Sequence, residues 1–263
     1  MCNVVASDLK NIVVVILAGG LGTRLRSKVK DRPKIIAEVM GRPFITFLLD
    51  QVAKAGAHNV VLSTGYMAEK VQSTLGNEYN GMQLHYSTER APLGTGGGLR
   101  LSLPFLKSDT ILVMNGDSYI DADLSDFSKW YAQKQSSAAV ILKKVPDTKA
   151  YGRVALDDER RVKAFIEKGE KPGSGWVNAG VYMLKKDLVE YIPLDEKYSL
   201  ERQFFPTLIN KGFYAYCCDG KFLDIGTPTN YLAATLFFLS LLQKTAKNIT
   251  NNKNDETNDE LSK

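Results

Sequence analysis

Residues 12–26 have the sequence IVVVILAGGLGTRLR. The first seven are apolar and mostly β-branched, which is typical of a strand buried on both faces of a parallel sheet. Glycines end the strand. In open α/β sheets ligands bind at the carboxyl ends of the strands, and the backbone N–H groups of a glycine loop can surround a phosphate. The stretch therefore predicts an α/β protein that binds an anion at the loop 19–26.

Two common phosphate-binding motifs do not fit this loop. The dinucleotide pattern needs a third glycine, where the chain has Leu25, and an acidic residue after the second strand, which ends at Ser63-Thr64-Gly65. A Walker A motif needs Gly-Lys-Ser or Gly-Lys-Thr, and the sequence contains neither. The loop instead supplies Arg24 and Arg26, with Lys34 shortly after. Alone, these cations are as consistent with a solvated basic turn as with an anion site.

The type of segment that separates the predicted strands changes along the chain. Strands are predicted at 59–64, 82–88 and 110–114 with helices between them, and then at 138–145, 152–157, 162–167 and 177–184 with only short turns between them. This order predicts an α/β fold, a Rossmann-like three-layer sandwich with a mixed, mainly parallel central sheet and a more antiparallel half. Ser199 is expected to cap a helix that Pro206 bends, and Pro228 to open the last helix.

Composition limits the class of protein. The chain has 263 residues, which favours one domain over 1–243, followed by a polar, Asn-rich tail over 244–263 that is expected to be disordered. A net charge of +5 does not require a nucleic acid or a membrane as partner, and it suits a small phosphorylated substrate. Three cysteines make neither a disulfide framework nor a zinc cage, which favours the cytoplasm. The helix around 232–242 could be core or subunit interface, so a homo-oligomer stays open.

The glycine loop does not stand alone. Residues 17–25 with Pro33-Lys34 resemble the signature of the sugar-phosphate nucleotidylyltransferases, and further segments agree with it in order: 92–97, 115–117, 165–168, 177–182 and 224–228. The resemblance covers residues 12 to about 240, with a difference at Gly169, where many relatives have proline. It implies a Rossmann-like fold and transfer of a nucleotidyl group from a nucleoside triphosphate to a sugar 1-phosphate, with release of pyrophosphate.

The resemblance also implies the roles of individual residues. Cations must dominate such a site, because two mutually repelling anions are brought together for an in-line attack. Arg24 would hold the β- and γ-phosphates, Lys34 would bridge the α-phosphate and the sugar phosphate, and Lys168 would fix the sugar phosphate. Asp117 and Asp224 would hold Mg²⁺. The implied catalytic residues are Arg24, Lys34, Asp117 and Lys168; the nucleotide site is Leu17, Ala18, Gly19, Gly20, Gly22, Thr23, Arg24, Glu89, Gly94 and Thr95; the sugar-phosphate site is Gly152, Glu167, Lys168, Asn178 and Gly180.

The base and the sugar are less directly indicated. By resemblance Glu89 faces the edge of the base. A carboxylate only accepts hydrogen bonds, and guanine offers two adjacent donors, so GTP is favoured over UTP or dTTP. An enzyme that uses CTP, UTP or dTTP stays an alternative. The alternative is that Glu89 caps the strand or pairs with Arg90. Similar enzymes for mannose 1-phosphate extend into a C-terminal β-helix, which favours a manno-heptose 1-phosphate here and leaves mannose open. A nucleotide-sugar-binding regulator without catalysis is the non-enzyme alternative.

Overall fold

The computed structural model describes residues 9–20, 22, 24–25, 29, 31–149, 151–166 and 173–260, with side chains up to Lys244. The helices are α1 (Ile45–Lys54), α2 (Ala68–Leu75), α3 (Gly94–Leu101), α4 (Leu124–Lys134), α5 (Asp187–Glu190), α6 (Phe205–Leu208) and α7 (Pro228–Glu260). The strands are β1 (Val13–Leu17), β2 (Glu38–Val39), β3 (Arg42–Pro43), β4 (Asn59–Thr64), β5 (Glu78–Tyr79), β6 (Met82–Thr88), β7 (Thr110–Asn115), β8 (Ser118–Ile120), β9 (Ala138–Val145), β10 (Arg153–Leu156), β11 (Val162–Ile166), β12 (Gly175–Lys185), β13 (Phe213–Cys218) and β14 (Phe222–Asp224).

One mixed sheet runs through both halves of the described chain. Its order is β11-β10-β12-β7-β1-β4-β6-β5, and β9 lies between β12 and β13. Strand β1 pairs in parallel with β4 and β7, and β4 pairs in parallel with β6. Strand β12 pairs antiparallel with β7, β9 and β10. The predicted change from parallel to antiparallel strands is therefore confirmed, and it falls between β7 and β12.

Both faces of the sheet are covered by helices. Successive side chains of a strand point to opposite faces, and in β1 all four residues from Val13 to Ile16 are buried. Val14 and Ile16 pack in one core cluster with α1 and α7, and Val13 and Val15 pack in another with α3 and α6. The predicted three-layer sandwich is confirmed, and the uninterrupted apolar run of β1 is explained by burial on both sides.

The segment after Ser199 differs from the prediction of one bent helix. The Ser199 hydroxyl accepts the N–H of Arg202 at 3.2 Å, as expected of a cap, but the residues that follow form a π-helical turn, Leu200–Phe204, and then the short helix α6. Pro206 has no N–H to continue a helix and stands in the first turn of α6, where none is needed. The helix is therefore divided at this point. Turns of the π type often occur at functional sites.

The last helix is longer than composition predicts. Helix α7 begins at Pro228, as expected, and its backbone continues to Glu260, through the segment 244–260 for which disorder was expected. Leu232 and Leu236 on its first turns are 64% and 72% exposed. In the described part of the chain, none of the helices is long and apolar enough to cross a membrane. The domain boundary at residue 243 stays a prediction.

Candidate active site

Two cavities open side by side where β1, β4 and β7 end. The first, of about 270 Å³, is lined by the glycine loop after β1 and by the start of α3. The second, of about 510 Å³, is lined by the antiparallel half of the sheet, β14 and the π-helical turn. Asn115 and Asp117 line both cavities, so the end of β7 forms their common wall. A ligand in one cavity would thus contact a ligand in the other at Asp117.

Glu89 forms part of the first cavity. Its Oε2 accepts the N–H of Leu93 at 2.9 Å. A Cβ on Gly19 would lie 2.5 Å from Oε1, and a Cβ on Gly65 would lie 2.6 Å from it, so glycine at both positions leaves room for the carboxylate. Burial raises the pKa of Glu89 above its ordinary value, and the Leu93 hydrogen bond opposes this. The carboxylate is held in place by backbone and keeps acceptor capacity for a ligand.

Lys34 stands at the junction of the two cavities. Its Nζ donates to Oδ2 of Asp117 in an ion pair, and the Lys34 side chain is only 13% exposed. It begins a short 3₁₀ turn in which Ile35 and Ile36 are buried in the core, and this anchors the backbone of the turn. Gly22 has a φ of +60°, and a Cβ there would lie 3.3 Å from Cβ of Lys34. The first cavity therefore presents a mostly buried cation, Lys34, at its border with the second.

Asp224 reaches this junction through a strand pair that the sequence did not indicate. Strand β14 pairs antiparallel with β8, which sets Asp224 opposite Ser118, and the N–H of Ile225 donates to the carbonyl of Asp117 at 2.9 Å. The pKa of Asp224 is raised, chiefly by burial and next by the negative charge of Asp117. Because the negative charge of each carboxylate disfavours ionisation of the other, a cation bound between them would stabilise both. Gly226 donates its N–H to Oδ1 of Asp224 at 2.6 Å and fixes its orientation.

A metal at Asp117 and Asp224 would need ligands from a substrate. Among the described residues, there is no group of three or more His, Cys, Asp or Glu that could hold a metal ion. Mg²⁺ is commonly bound by one or two carboxylates together with phosphate oxygens and water. Oδ1 of Asn115, in the common wall, is buried and has no hydrogen-bond partner in the described chain, so it too is free to contact a ligand. The donor set fits Mg²⁺ held jointly with a phosphate.

The second cavity contains three of the residues predicted for a sugar phosphate, Gly152, Asn178 and Gly180. Asn178 accepts the N–H of Gly180 through Oδ1 at 2.8 Å and donates through Nδ2 to the hydroxyl of Tyr182 at 2.7 Å. Gly180 has a φ of +76°, and a Cβ there would lie 2.7 Å from Oγ of Ser118, so the position requires glycine. The strand end is closely packed against Ser118 and Asn115, and Asn178 and Gly180 line the cavity.

The structure brings most of the predicted site residues together. Arg24, which was predicted to hold the nucleotide phosphates, lines the second cavity with Asp117 and Asp224. Thr23, Glu167 and Lys168 lie outside the described residues. The first cavity gathers Leu17, Ala18, Gly19, Gly20, Lys34, Glu89, Gly94, Thr95 and Asp117.

Sequence reasoning missed two residues of the site. Gly65 makes room for Glu89, and Glu201 lines the second cavity and accepts a hydrogen bond from Oγ1 of Thr95 at 3.0 Å. Gly65 directly follows a predicted strand, which is a position that could have drawn attention. Glu201 follows the predicted cap Ser199 by two residues, and an acidic residue in the first turn of a helix has an ordinary structural explanation.

Taken together, the geometry can hold two phosphorylated ligands. One cavity lies along the glycine loop, the other along the antiparallel strands, and Lys34 with two carboxylates stands between them. Held in this way, two anions that repel each other in water can react with one another.

Comparison with known proteins agrees with this geometry. Residues 13–240 match the model of the nucleotidyl transferase family, and the chain belongs to that family. It is 36% identical over 221 residues to D-glycero-alpha-D-manno-heptose 1-phosphate guanylyltransferase of Aneurinibacillus thermoaerophilus, covering 84% of this chain and 95% of that protein. It is 37% identical over 222 residues to mannose-1-phosphate guanylyltransferase of Mycobacterium tuberculosis, covering 83% of this chain and 62% of that longer protein.

A solved structure is similar as well. HddC from Yersinia pseudotuberculosis, complexed with GMP-PN, superposes with a TM-score of 0.77 at 32% identity, covering 86% of this chain and 99% of that one. The fold and family predicted from the glycine loop are confirmed.

Proposed function

We propose that this protein transfers GMP from GTP to a sugar 1-phosphate, D-glycero-α-D-manno-heptose 1-phosphate, giving a GDP-heptose and pyrophosphate. The observation that carries the proposal is the meeting of the two cavities at the Lys34–Asp117 pair. The first cavity has the glycine lining for a nucleotide, and the second, of about 510 Å³, has space for a sugar phosphate. Similarity to the Aneurinibacillus enzyme over nearly its whole length supports the choice of both substrates.

In the proposed reaction an oxygen of the sugar phosphate attacks the α-phosphorus of GTP. The bond from the α-phosphorus to the bridging oxygen breaks, and pyrophosphate leaves with the electron pair. Lys34, at the border of the cavities, is placed to neutralise both the attacking phosphate and the α-phosphate. Arg24 adds positive charge from the wall of the second cavity, where it faces Asp224.

Asp117 and Asp224 are proposed to hold Mg²⁺. Two observations support a cation here. Burial, and next the negative charge of Asp117, raise the pKa of Asp224, and Oδ1 of Asn115 is buried without a hydrogen-bond partner in the described chain. When bound, the ion would neutralise charge on the phosphates. Asp117 also orients Lys34 through their ion pair.

Glu89 supports GTP as the donor. Its carboxylate offers acceptors only, while guanine presents N1–H and a 2-amino group side by side. Uracil and thymine present one donor flanked by acceptors and match it less well. The sugar is proposed from similarity alone, and mannose 1-phosphate is the second candidate, because the Mycobacterium relative is equally similar over the shared region.

The cellular compartment and the partners of the protein are also proposals. Cys217 and Cys218 are free thiols, in keeping with the cytoplasm, where both substrates would be made. The exposed leucines of α7 leave a homo-oligomer open, and neither a nucleic acid nor a membrane is needed for the transfer.

Pyrophosphate release tests the proposal. The protein is incubated with Mg²⁺ and each pairing of GTP, CTP, UTP, dTTP and ATP with heptose, mannose and glucose 1-phosphates. Release with GTP and heptose 1-phosphate, at least tenfold above every other pair, is the expected result. Release mainly with mannose 1-phosphate would keep the mechanism and replace the acceptor. Binding of GTP without release for any sugar would favour the regulator.

A further inference from the structure

Residues 196–201 pass from the first cavity to the second. Their backbone is docked on the glycine turn at the start of α3. The N–H groups of Gly96 and Gly97 donate to the carbonyl of Tyr198 at 2.8 and 3.2 Å. A Cβ on Gly97 would lie 2.6 Å from the carbonyl oxygen of Glu196. These glycines are therefore required by the docking, and the two amides are occupied by protein.

Glu201, at the end of this segment, uses both carboxylate oxygens within the protein. Oε2 accepts from Oγ1 of Thr95 at 3.0 Å and from Oγ of Ser199 at 3.1 Å, and Oε1 accepts from the hydroxyl of Tyr182 at 3.3 Å. Thr95 in turn accepts the N–H of Leu200 at 2.9 Å. Thr95 lines the first cavity and Glu201 the second, so this carboxylate joins their walls.

The hydrogen bonds continue to the strand end in the second cavity. Tyr182 is fully buried, and its hydroxyl accepts from Nδ2 of Asn178, whose Oδ1 holds the N–H of Gly180. Burial, and next the negative charge of Glu201, raise the pKa of Tyr182 well above its ordinary value, so the phenol stays protonated and keeps donating to Glu201. One unbroken series of bonds thus links Thr95 to Gly180.

Building on the proposed function, we propose that Glu201 is a positioning residue for nucleotidyl transfer, which fixes the nucleotide turn at Thr95 relative to the sugar strand at Asn178. In-line attack needs both substrates within a fraction of an ångström of the reactive geometry. No other hydrogen-bonded side chain seen in the described residues joins the start of α3 to β12. Only a carboxylate accepts from all three hydroxyl groups, because an amide in its place would direct a donor at one of them.

The test compares Glu201→Gln with Glu190→Gln, a matched control at an exposed position on α5. In Glu201→Gln we expect KM for GTP and KM for the sugar phosphate each to rise about tenfold, because a charge-assisted hydrogen bond is lost on each side. Glu190→Gln should leave both values unchanged. Calorimetric affinities for GTP and for the sugar phosphate, measured separately, should fall by the same factors and do not depend on turnover.

A second pair of variants tests the link itself. Thr95→Val should raise KM for the sugar phosphate although Thr95 lines the other cavity, and Thr95→Ser, which keeps the hydroxyl, should restore it. Thr207→Val removes the hydroxyl of an exposed residue, which donates to the carbonyl of Phe204 outside both cavities, and serves as the control. The double variant Thr95→Val/Glu201→Gln should be no worse than the poorer single variant, because both break one series of bonds.

Three results would overturn the proposal. A rise in KM for the sugar phosphate alone in Glu201→Gln would mean direct sugar contact. Additive effects in the double variant would mean two independent roles. A fall in melting temperature that accounts for the loss of activity would mean a purely structural role. If the wild-type protein releases no pyrophosphate with any pair of substrates, the proposed function fails. The calorimetric affinities for GTP and for the sugar phosphate still test whether Glu201 links the two cavities.

Discussion

Replacing Glu89 by glutamine changes one acceptor atom into a donor without changing the shape of the side chain. The orientation of the amide is decided by Leu93, whose N–H requires an acceptor where Oε2 stands, 2.9 Å away. The amide oxygen therefore takes that place, and the NH₂ group takes the place of Oε1. Oε1 lies against Gly19 and Gly65, where a Cβ would approach it to 2.5 and 2.6 Å, so the NH₂ group that replaces Oε1 occupies the space that these glycines leave.

The loss of GTP-binding free energy in Glu89→Gln follows from this orientation of the amide. Guanine would meet a donor where it needs an acceptor, and a hydrogen bond to a charged group, worth about 1.5 to 3 kcal/mol, is lost. If the amide were instead flipped, its oxygen would keep one hydrogen bond to the base, but the hydrogen bond from the N–H of Leu93, worth about 1 kcal/mol, would be lost. A loss of about 1 to 3 kcal/mol corresponds to a fall in kcat/KM for GTP of roughly 5- to 160-fold, taking 1.36 kcal/mol per factor of ten.

The assay compares GTP with ITP, which lacks only the 2-amino group. The wild-type protein should prefer GTP about tenfold, and Glu89→Gln should bring the ratio of the two kcat/KM values close to one. The ratio is independent of how much active protein each preparation contains, and Glu190→Gln serves as the control. An unchanged preference for GTP over ITP in Glu89→Gln would refute the assignment of Glu89 to the base.

Four further predictions follow from the same geometry. As the pH falls toward the raised pKa of Glu89, KM for GTP should increase, because the protonated carboxyl presents a donor to guanine's donors, and Glu89→Gln should show no such increase. Gly65→Ala places a Cβ 2.6 Å from Oε1 of Glu89 and should lower kcat/KM for GTP about tenfold in steady-state assays, and a change no larger than that of the surface control Glu190→Gln would contradict this. Asp224→Asn should lower kcat about a hundredfold or more with an unchanged circular dichroism spectrum, and near-normal kcat would remove Asp224 from the metal site. Deletion of residues 244–263 removes an exposed pair between Lys244 and Asp121 and should lower the melting temperature by about 3 °C at most, so a larger fall would show that the end of α7 is part of the domain.

The first cavity was predictable because local pattern determines its parts. Strands β4, β6 and β9 have the bounds that were predicted from their apolar and β-branched residues. Once β1 is placed in the centre of a parallel sheet, the glycine loop must lie at the carboxyl edge, and Glu89, directly after β6, must lie at the same edge. Lys34 was predicted from its place in the family motif, and the buried Ile35 and Ile36 of its turn explain how its backbone is anchored.

Asp224 was assigned beside Asp117 by resemblance alone and Glu201 was not assigned at all, because the place of each depends on a contact between distant parts of the chain. Asp224 reaches Asp117 only through the pairing of β14 with β8, strands of three residues that have no distinctive pattern. Glu201 reaches Thr95 because the backbone of residues 196–198 approaches three glycines of α3 so closely that a Cβ on any of them would lie within 3 Å of it or of Tyr198. The same glycines that suggest a phosphate loop are thus explained in part by protein packing. A glycine-rich motif therefore indicates a close approach of backbone, and only the structure tells whether a ligand or another segment of the chain makes that approach.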